Sequence, residues 1–141
     1  MVLKSFGIAA ALLISGTAHA QDWRKVSEGS TTGSTFFLDA DGAGKPQALS
    51  RGHVFVRLGA NEDGISAIET TLEFECATGR MRVVTMRGYD ADHKPMDEHP
   101  GADSWDTPGP NTQFGVVGEL VCGKEPMPGQ SYGSALPFTG G

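Results

Sequence analysis

From residue 67 to residue 76 the chain alternates without an error. Ile68, Thr70, Leu72, Phe74 and Cys76 fall on one side; Glu69, Thr71, Glu73 and Glu75 fall on the other. A strict period of two predicts a β-strand with one apolar and one wet face. The short connection Ala77-Thr78-Gly79 leads into a second extended run, residues 80–89. The two runs predict an antiparallel hairpin. If Glu75 lies opposite Arg80, then Glu73 faces Arg82, Phe74 faces Met81 and Leu72 faces Val83. Opposite charges then meet on one face and apolar groups on the other, and a slip by one residue would invert every side chain.

Weaker patterns predict further strands at residues 23–28, 35–39 and 53–58. In the last of these, Val54, Val56 and Leu58 share a face, with Phe55 and Arg57 on the other. Residues 39–50 are rich in Gly, Ala and Asp and read as a loop, and Asn61 to Gly64 as a turn. Residues 90–106 read as an acidic, His-containing loop ending near Trp105. Pro108-Gly109-Pro110 stops any strand, and Asn111 or Thr112 can cap a helix from about Gln113 to Val121. Phe114, Val117, Gly118, Val121 and Cys122 share one broad face of that helix. Each mid-helix glycine costs about 1 kcal/mol relative to alanine. Gly115 and Gly118 therefore predict a close approach of the helix backbone to the sheet. Gly123 fits the helix stop. Residues 124–141 are rich in Gly and Pro, and a disordered tail is expected.

Residues 1–20 have the parts of a cleavable secretion signal. Lys4 supplies the positive charge, residues 6–14 a short apolar run, and Ala18-His19-Ala20 the small residues before a cut at Gln21. The run is shorter than the roughly 20 apolar residues a membrane span needs. No cysteine near the cut is placed to carry a lipid. The expectation is a soluble domain, residues 21–123 plus tail, in the periplasm or secreted, with no membrane anchor. Loss of Lys4 takes the net charge from −6 to −7. An acidic chain without a basic cluster is a poor fit to nucleic acid or an anionic membrane. Cys76 and Cys122 are the only cysteines. An even pair in an oxidising compartment reads as a disulfide, here tying helix to sheet, and the chain-entropy model assigns it about 4 kcal/mol. A metal site is the weaker reading of the two thiols, since no adjacent ligand completes a tetrahedral set.

The order of features resembles a known family. A Trp-containing strand (Asp22-Trp23-Arg24-Lys25-Val26) is followed by Phe36-Phe37-Leu38-Asp39 and by Leu72-Glu73-Phe74-Glu75-Cys76. Then come Arg80-Met81-Arg82, Tyr89-Asp90, Trp105 before Pro108-Gly109, and Glu119-Leu120-Val121-Cys122. Over residues 22–122 this is similar to the bacterial surface-adhesin protein E family. The resemblance implies an α+β fold: an antiparallel sheet of about six strands, with a C-terminal helix tethered to one face by a Cys76–Cys122 disulfide. It also implies a role in protein–protein interaction and, from the dimeric namesake, a homodimer. The namesake is lipid-anchored and binds host laminin, vitronectin and plasminogen. This chain lacks the lipidated cysteine and any Lys/Arg-rich segment, so host adhesion is not carried over.

Four other features bear on chemistry. Gly129-Gln130-Ser131-Tyr132-Gly133 matches G-x-S-x-G, which works only on a strand-to-helix elbow, and here it lies in the tail. Residues 39–45 echo a calcium loop and a phosphate loop and satisfy neither. Asp90, Asp92, His93, Asp97, Glu98 and His99 are a dense set of metal-ligand types with no defining spacing. His53 reads as a surface residue at a strand start, and Trp23 and Trp105 as core or interface aromatics. No motif implies a cofactor. The expectation is a non-enzymatic binding domain with an unidentified protein partner. The alternative is a small periplasmic hydrolase or metal-dependent enzyme.

Overall fold

The hairpin expected from charge pairing forms and lies inside a six-stranded sheet. The computed structural model describes residues 21–45, 47–59 and 63–140; the secretion signal read at residues 1–20 lies outside them. Strand β4 (Ile65–Glu75) pairs with β5 (Arg80–Asp90), with Glu75 opposite Arg80, Glu73 opposite Arg82, Phe74 opposite Met81 and Leu72 opposite Val83. Both ion pairs form, at 2.9 Å for Arg80 to Glu75 and 2.6 Å for Arg82 to Glu73. Before them run β1 (Trp23–Glu28), β2 (Thr35–Asp39) and β3 (Leu49–Arg57); after them come β6 (Pro95–Pro100) and α1 (Gln113–Val121). The six strands lie side by side in chain order, every neighbouring pair antiparallel. The fold is α+β, with one helix packed on one face and bonded to the sheet through Cys76–Cys122.

Two strand limits differ from the sequence reading. β3 starts at Leu49, not at residue 53, and Ser50 and Gly52 pair with Phe74 and Leu72. These small residues carry no hydrophobic signal. Gly52 is needed where α1 comes down, because a Cβ there would lie 2.6 Å from Val121 Cγ2. The stretch read as a loop at residues 90–106 contains β6, an edge strand exposed along its whole length. With both faces wet, it shows no apolar period to read. Pro95, Pro100, Asp97 and Glu98 are the devices that keep such an edge from pairing with other chains.

A β-bulge explains the broken alternation of β5. Thr71 pairs with Thr85 while Leu72 pairs with Val83, so Val84 is the extra residue. Beyond it, Met86 and Gly88 share a face with Val83 and Met81, opposite Thr70, Ile68, Leu72 and Phe74. Gly101 passes beside the bulge, its N–H bonded to Val84 O at 2.9 Å, where a Cβ would lie 1.8 Å from Val83 O. The chain then returns to the edge of β5, with Asp106 and Met81 exchanging backbone hydrogen bonds.

Apolar cores lie on both faces. On the helix face Leu38, Val54, Leu72 and Phe74 pack under Val117 and Val121. Thr112 caps the helix, its Oγ1 accepting from Gly115 N at 3.1 Å, and Gly123 ends it at φ +72°. The opposite face was expected to be wet. It instead carries a second core of Trp23, Phe37, Phe55, Ala67 and Tyr89. Its cover is the segment expected to be disordered. Tyr132 meets Phe37 edge-on at 5.4 Å, and Phe138 meets both Phe55 and Tyr89 at 5.0 Å. Backbone bonds join Trp23 to Gly133 and Tyr132, and Arg57 Nη1 donates to Gly140 O at 2.8 Å. The Gly/Pro composition hid the few large side chains that supply the burial.

Candidate functional site

Two places have the makings of a site, one on each face. The first follows from a mismatch of lengths. Helix α1 has nine residues, so it is about 13 Å long, whereas six strands extend over about 24 Å. It packs on β1, β3 and the Phe74 end of β4, and leaves the helix face uncovered around Ile68, Val83 and Met86. The result is a groove of about 320 Å³, floored by Val56, Ile68, Leu72 and Val83 and flanked by Met86 and Phe114. Phe114 leans from the first helical turn onto Phe36, edge-on at 5.1 Å. The floor's polar group is neutralised, since Thr70 Oγ1 donates to Thr85 O at 2.8 Å. Met86 is 42 % exposed and Met96, near Gly88 in the next strand, 47 %. Sequence reasoning missed the groove, although the shortness of the helix against the number of strands was a usable signal.

The second place is polar and centres on His53. The residue is not at a strand start on open surface; it is the fifth residue of β3, against the Trp23 ring at a centroid distance of 5.0 Å. Its Nε2 is 2.7 Å from Glu69 Oε2, and the Tyr89 hydroxyl donates to Glu69 Oε1 at 2.5 Å. Its Nδ1 is 3.2 Å from Gln21 Nε2 and 4.0 Å from Asp39 Oδ2. The hydrogen bond from His53 holds the Glu69 carboxyl below its ordinary range, helped by Tyr89. Burial, and then the neighbouring Glu69 carboxylate, push the Tyr89 hydroxyl up to about 12. Gln21 Nε2 can only donate, so the contact places the Nδ1 lone pair toward Gln21 and Nε2–H toward the Glu69 carboxylate. A small hollow of about 120 Å³ beside this cluster is lined by His53, Glu69, Thr71, Thr85, Arg87 and Glu98.

The residues singled out from sequence separate clearly. Cys76 and Cys122 form the disulfide. Ser131 donates its hydroxyl to Asp22 Oδ1 at 2.5 Å and bridges to Arg24, which makes it part of a strap, not of a nucleophile elbow. Asp39 Oδ1 accepts from the N–H groups of Asp22 and Asp41. The residues 90–99 disperse: Asp90 accepts from the N–H groups of Asp92 and Lys94, His93 stacks on Phe138 at 4.3 Å, and Glu98 faces Arg87 at 3.7 Å. Among the described residues no three His, Cys, Asp or Glu side chains are grouped to hold a metal ion. Trp23 is core, while Trp105 lies under the guanidinium groups of Arg82 and Arg80, at 5.0 and 5.4 Å.

Comparison with family models, with curated proteins and with solved structures finds no match to this chain. The likeness to surface-adhesin protein E therefore rests on the residue pattern alone.

Proposed function

We propose that the chain is an exported binding domain. Residues 1–20 are removed before Gln21, and the domain meets a protein partner through the groove beside Phe114. The groove is the observation that carries this reading. Burying apolar surface is favourable by about 25 cal/mol per Å². A patch such as Ile68, Met86 and Phe114, rimmed by Thr32, Ser34 and Gln113, has the character of an interaction surface. Three further points support the reading. A disulfide fits an oxidising compartment. The guarded edge at β6 disfavours strand addition there. The residue pattern shared with surface-adhesin protein E points to a protein–protein role, in which a homodimer would use the same groove.

The test uses the mature domain and its Met86→Glu variant side by side as bait on the proteins of the producing bacterium's envelope and medium. The expected result is a partner, or a second copy, held by the first and lost by the second. Equal retention by both would move the binding surface away from the groove.

A further inference from the structure

We propose that Gln21, once it is the first residue of the chain, cyclises to pyroglutamate with His53 as the acid–base group. The proposal rests on the export reading, since only cleavage before Gln21 frees its α-amine. The reaction is intramolecular. The α-amine attacks the side-chain carbonyl carbon Cδ, the N–Cδ bond forms, the Cδ–Nε2 bond breaks, and ammonia leaves. Nothing is oxidised or reduced, and no second substrate is needed. The attacking amine must lose a proton and the departing Nε2 must gain one. One group beside Nε2 that can first accept and then return a proton serves both steps.

His53 is that group. Its Nδ1 lies 3.2 Å from Gln21 Nε2, the atom that becomes ammonia. Its other nitrogen is 2.7 Å from Glu69 Oε2, which directs Nε2–H to the carboxylate and leaves the Nδ1 lone pair facing Gln21. Glu69 is a positioning residue, fixed in turn by Tyr89. It also stabilises the imidazolium that forms while His53 carries the proton. Asp39, 4.0 Å from Nδ1, adds a second carboxylate to the same end.

The chain around Gln21 is held still. Asp22 N–H donates to Asp39 Oδ1 at 2.9 Å, and Trp23 N–H donates to Gly133 O at 3.1 Å. The Trp23 ring rests against the imidazole. Pinning the two following residues keeps the Gln21 amide on His53, which is the positioning an intramolecular reaction gains from. The product has neither the side-chain amide nitrogen nor a charged N-terminus.

Expression of the full chain with its own leader, followed by intact mass measurement of the exported protein, reads the outcome. The expected species begins at Gln21 and is lighter by one ammonia. A second measurement assigns the cause. Mature chain released in vitro with a fresh Gln21 terminus is followed by mass over time, beside a synthetic peptide of residues 21–24 in the same buffer. Acid–base assistance of this kind is worth about 10² to 10⁴ in rate, so the folded chain should cyclise at least about tenfold faster than the peptide. His53→Gln should lower the folded rate to that of the peptide. If that variant does not fold, Glu69→Gln, which keeps His53 but removes the carboxylate that orients it, should lower the folded rate toward that of the peptide.

Equal rates in folded chain and peptide, or an unchanged rate in a folded His53→Gln variant, would overturn the proposal. An exported chain that begins at Gln21 and keeps its ammonia overturns the cyclisation alone. A chain that retains Met1 overturns the export reading and the cyclisation together.

Discussion

Gly118 of α1 lies so close to Phe74 of β4 that a Cβ on the glycine would fall 2.8 Å from Phe74 Cε1. The ring is 1 % exposed, so a methyl group there would press on a buried side chain. This is the close approach that a glycine in a short helix implied. Its companion Gly115 serves a different neighbour, since a Cβ there would meet Gly109 O at 2.1 Å in the turn before the helix. Helix propensity favours alanine over glycine by about 1 kcal/mol. Overpacking costs about 1–3 kcal/mol. Gly118→Ala is therefore expected to lower stability by about 1 kcal/mol net, read as a lower urea midpoint. A raised midpoint would show that the sheet gives way to the helix.

The disulfide closes a 46-residue separation between Cys76, just after β4, and the C-cap of α1. Replacing Cys76 and Cys122 with serine should cost about 2 to 5 kcal/mol. The helix is too short to persist by itself. Hydrogen exchange in the double variant should therefore quicken first across Gln113–Val121, while the β4–β5 hairpin keeps its protection. The segment around Tyr132 and Phe138 packs on the opposite face and should stay in place. Unchanged protection in the helix would mean that Val117 and Val121 suffice to hold it.

Removal of one ring tests the C-terminal cover. Phe138→Ala deletes the edge-on contacts with Phe55 and Tyr89 and the stack with His93. Truncating a fully buried phenylalanine to alanine costs about 3–5 kcal/mol; Phe138 is only partly buried, and a loss of about 1–3 kcal/mol is expected. Limited proteolysis should then cut after residue 123 sooner, with the body of the domain intact. A variant cut no faster than the parent would contradict a packed cover.

Glu73 gives the sheet a defined response to acid. It is nearly buried on the face away from the helix, between Arg51 at 3.0 Å and Arg82 at 2.6 Å. The hydrogen bond from Arg51, then that from Arg82, hold its carboxyl below the ordinary value of 4.5. Between those two values the unfolded chain binds a proton that the folded chain does not, so stability rises with pH there. The contribution is complete above about pH 5 and is lost as pH falls through the folded value. Chemical denaturation across that range should show a slope that Glu73→Gln reduces. An identical slope in the variant would assign the acid sensitivity to other carboxylates.

The sequence by itself determined whatever depends on near neighbours. The register of β4 on β5 was legible because four pairings, Glu75 with Arg80 through Leu72 with Val83, agree on one alignment and a slip reverses all of them. The helix limits were legible because Thr112 and Gly123 act on adjacent backbone groups. The pairing of the two cysteines followed from there being only two. Tertiary structure decided what covers each apolar side chain, and that depends on segments far apart in the chain. Alternation in β4 marked two faces but could not say that Phe138 would close one of them or that α1 would leave half of the other open. Nor could it place Gln21 on His53, 32 residues away, where a histidine read as surface becomes a held acid–base group. Burial is a property of the assembled surface, whereas periodicity and capping are properties of the local backbone.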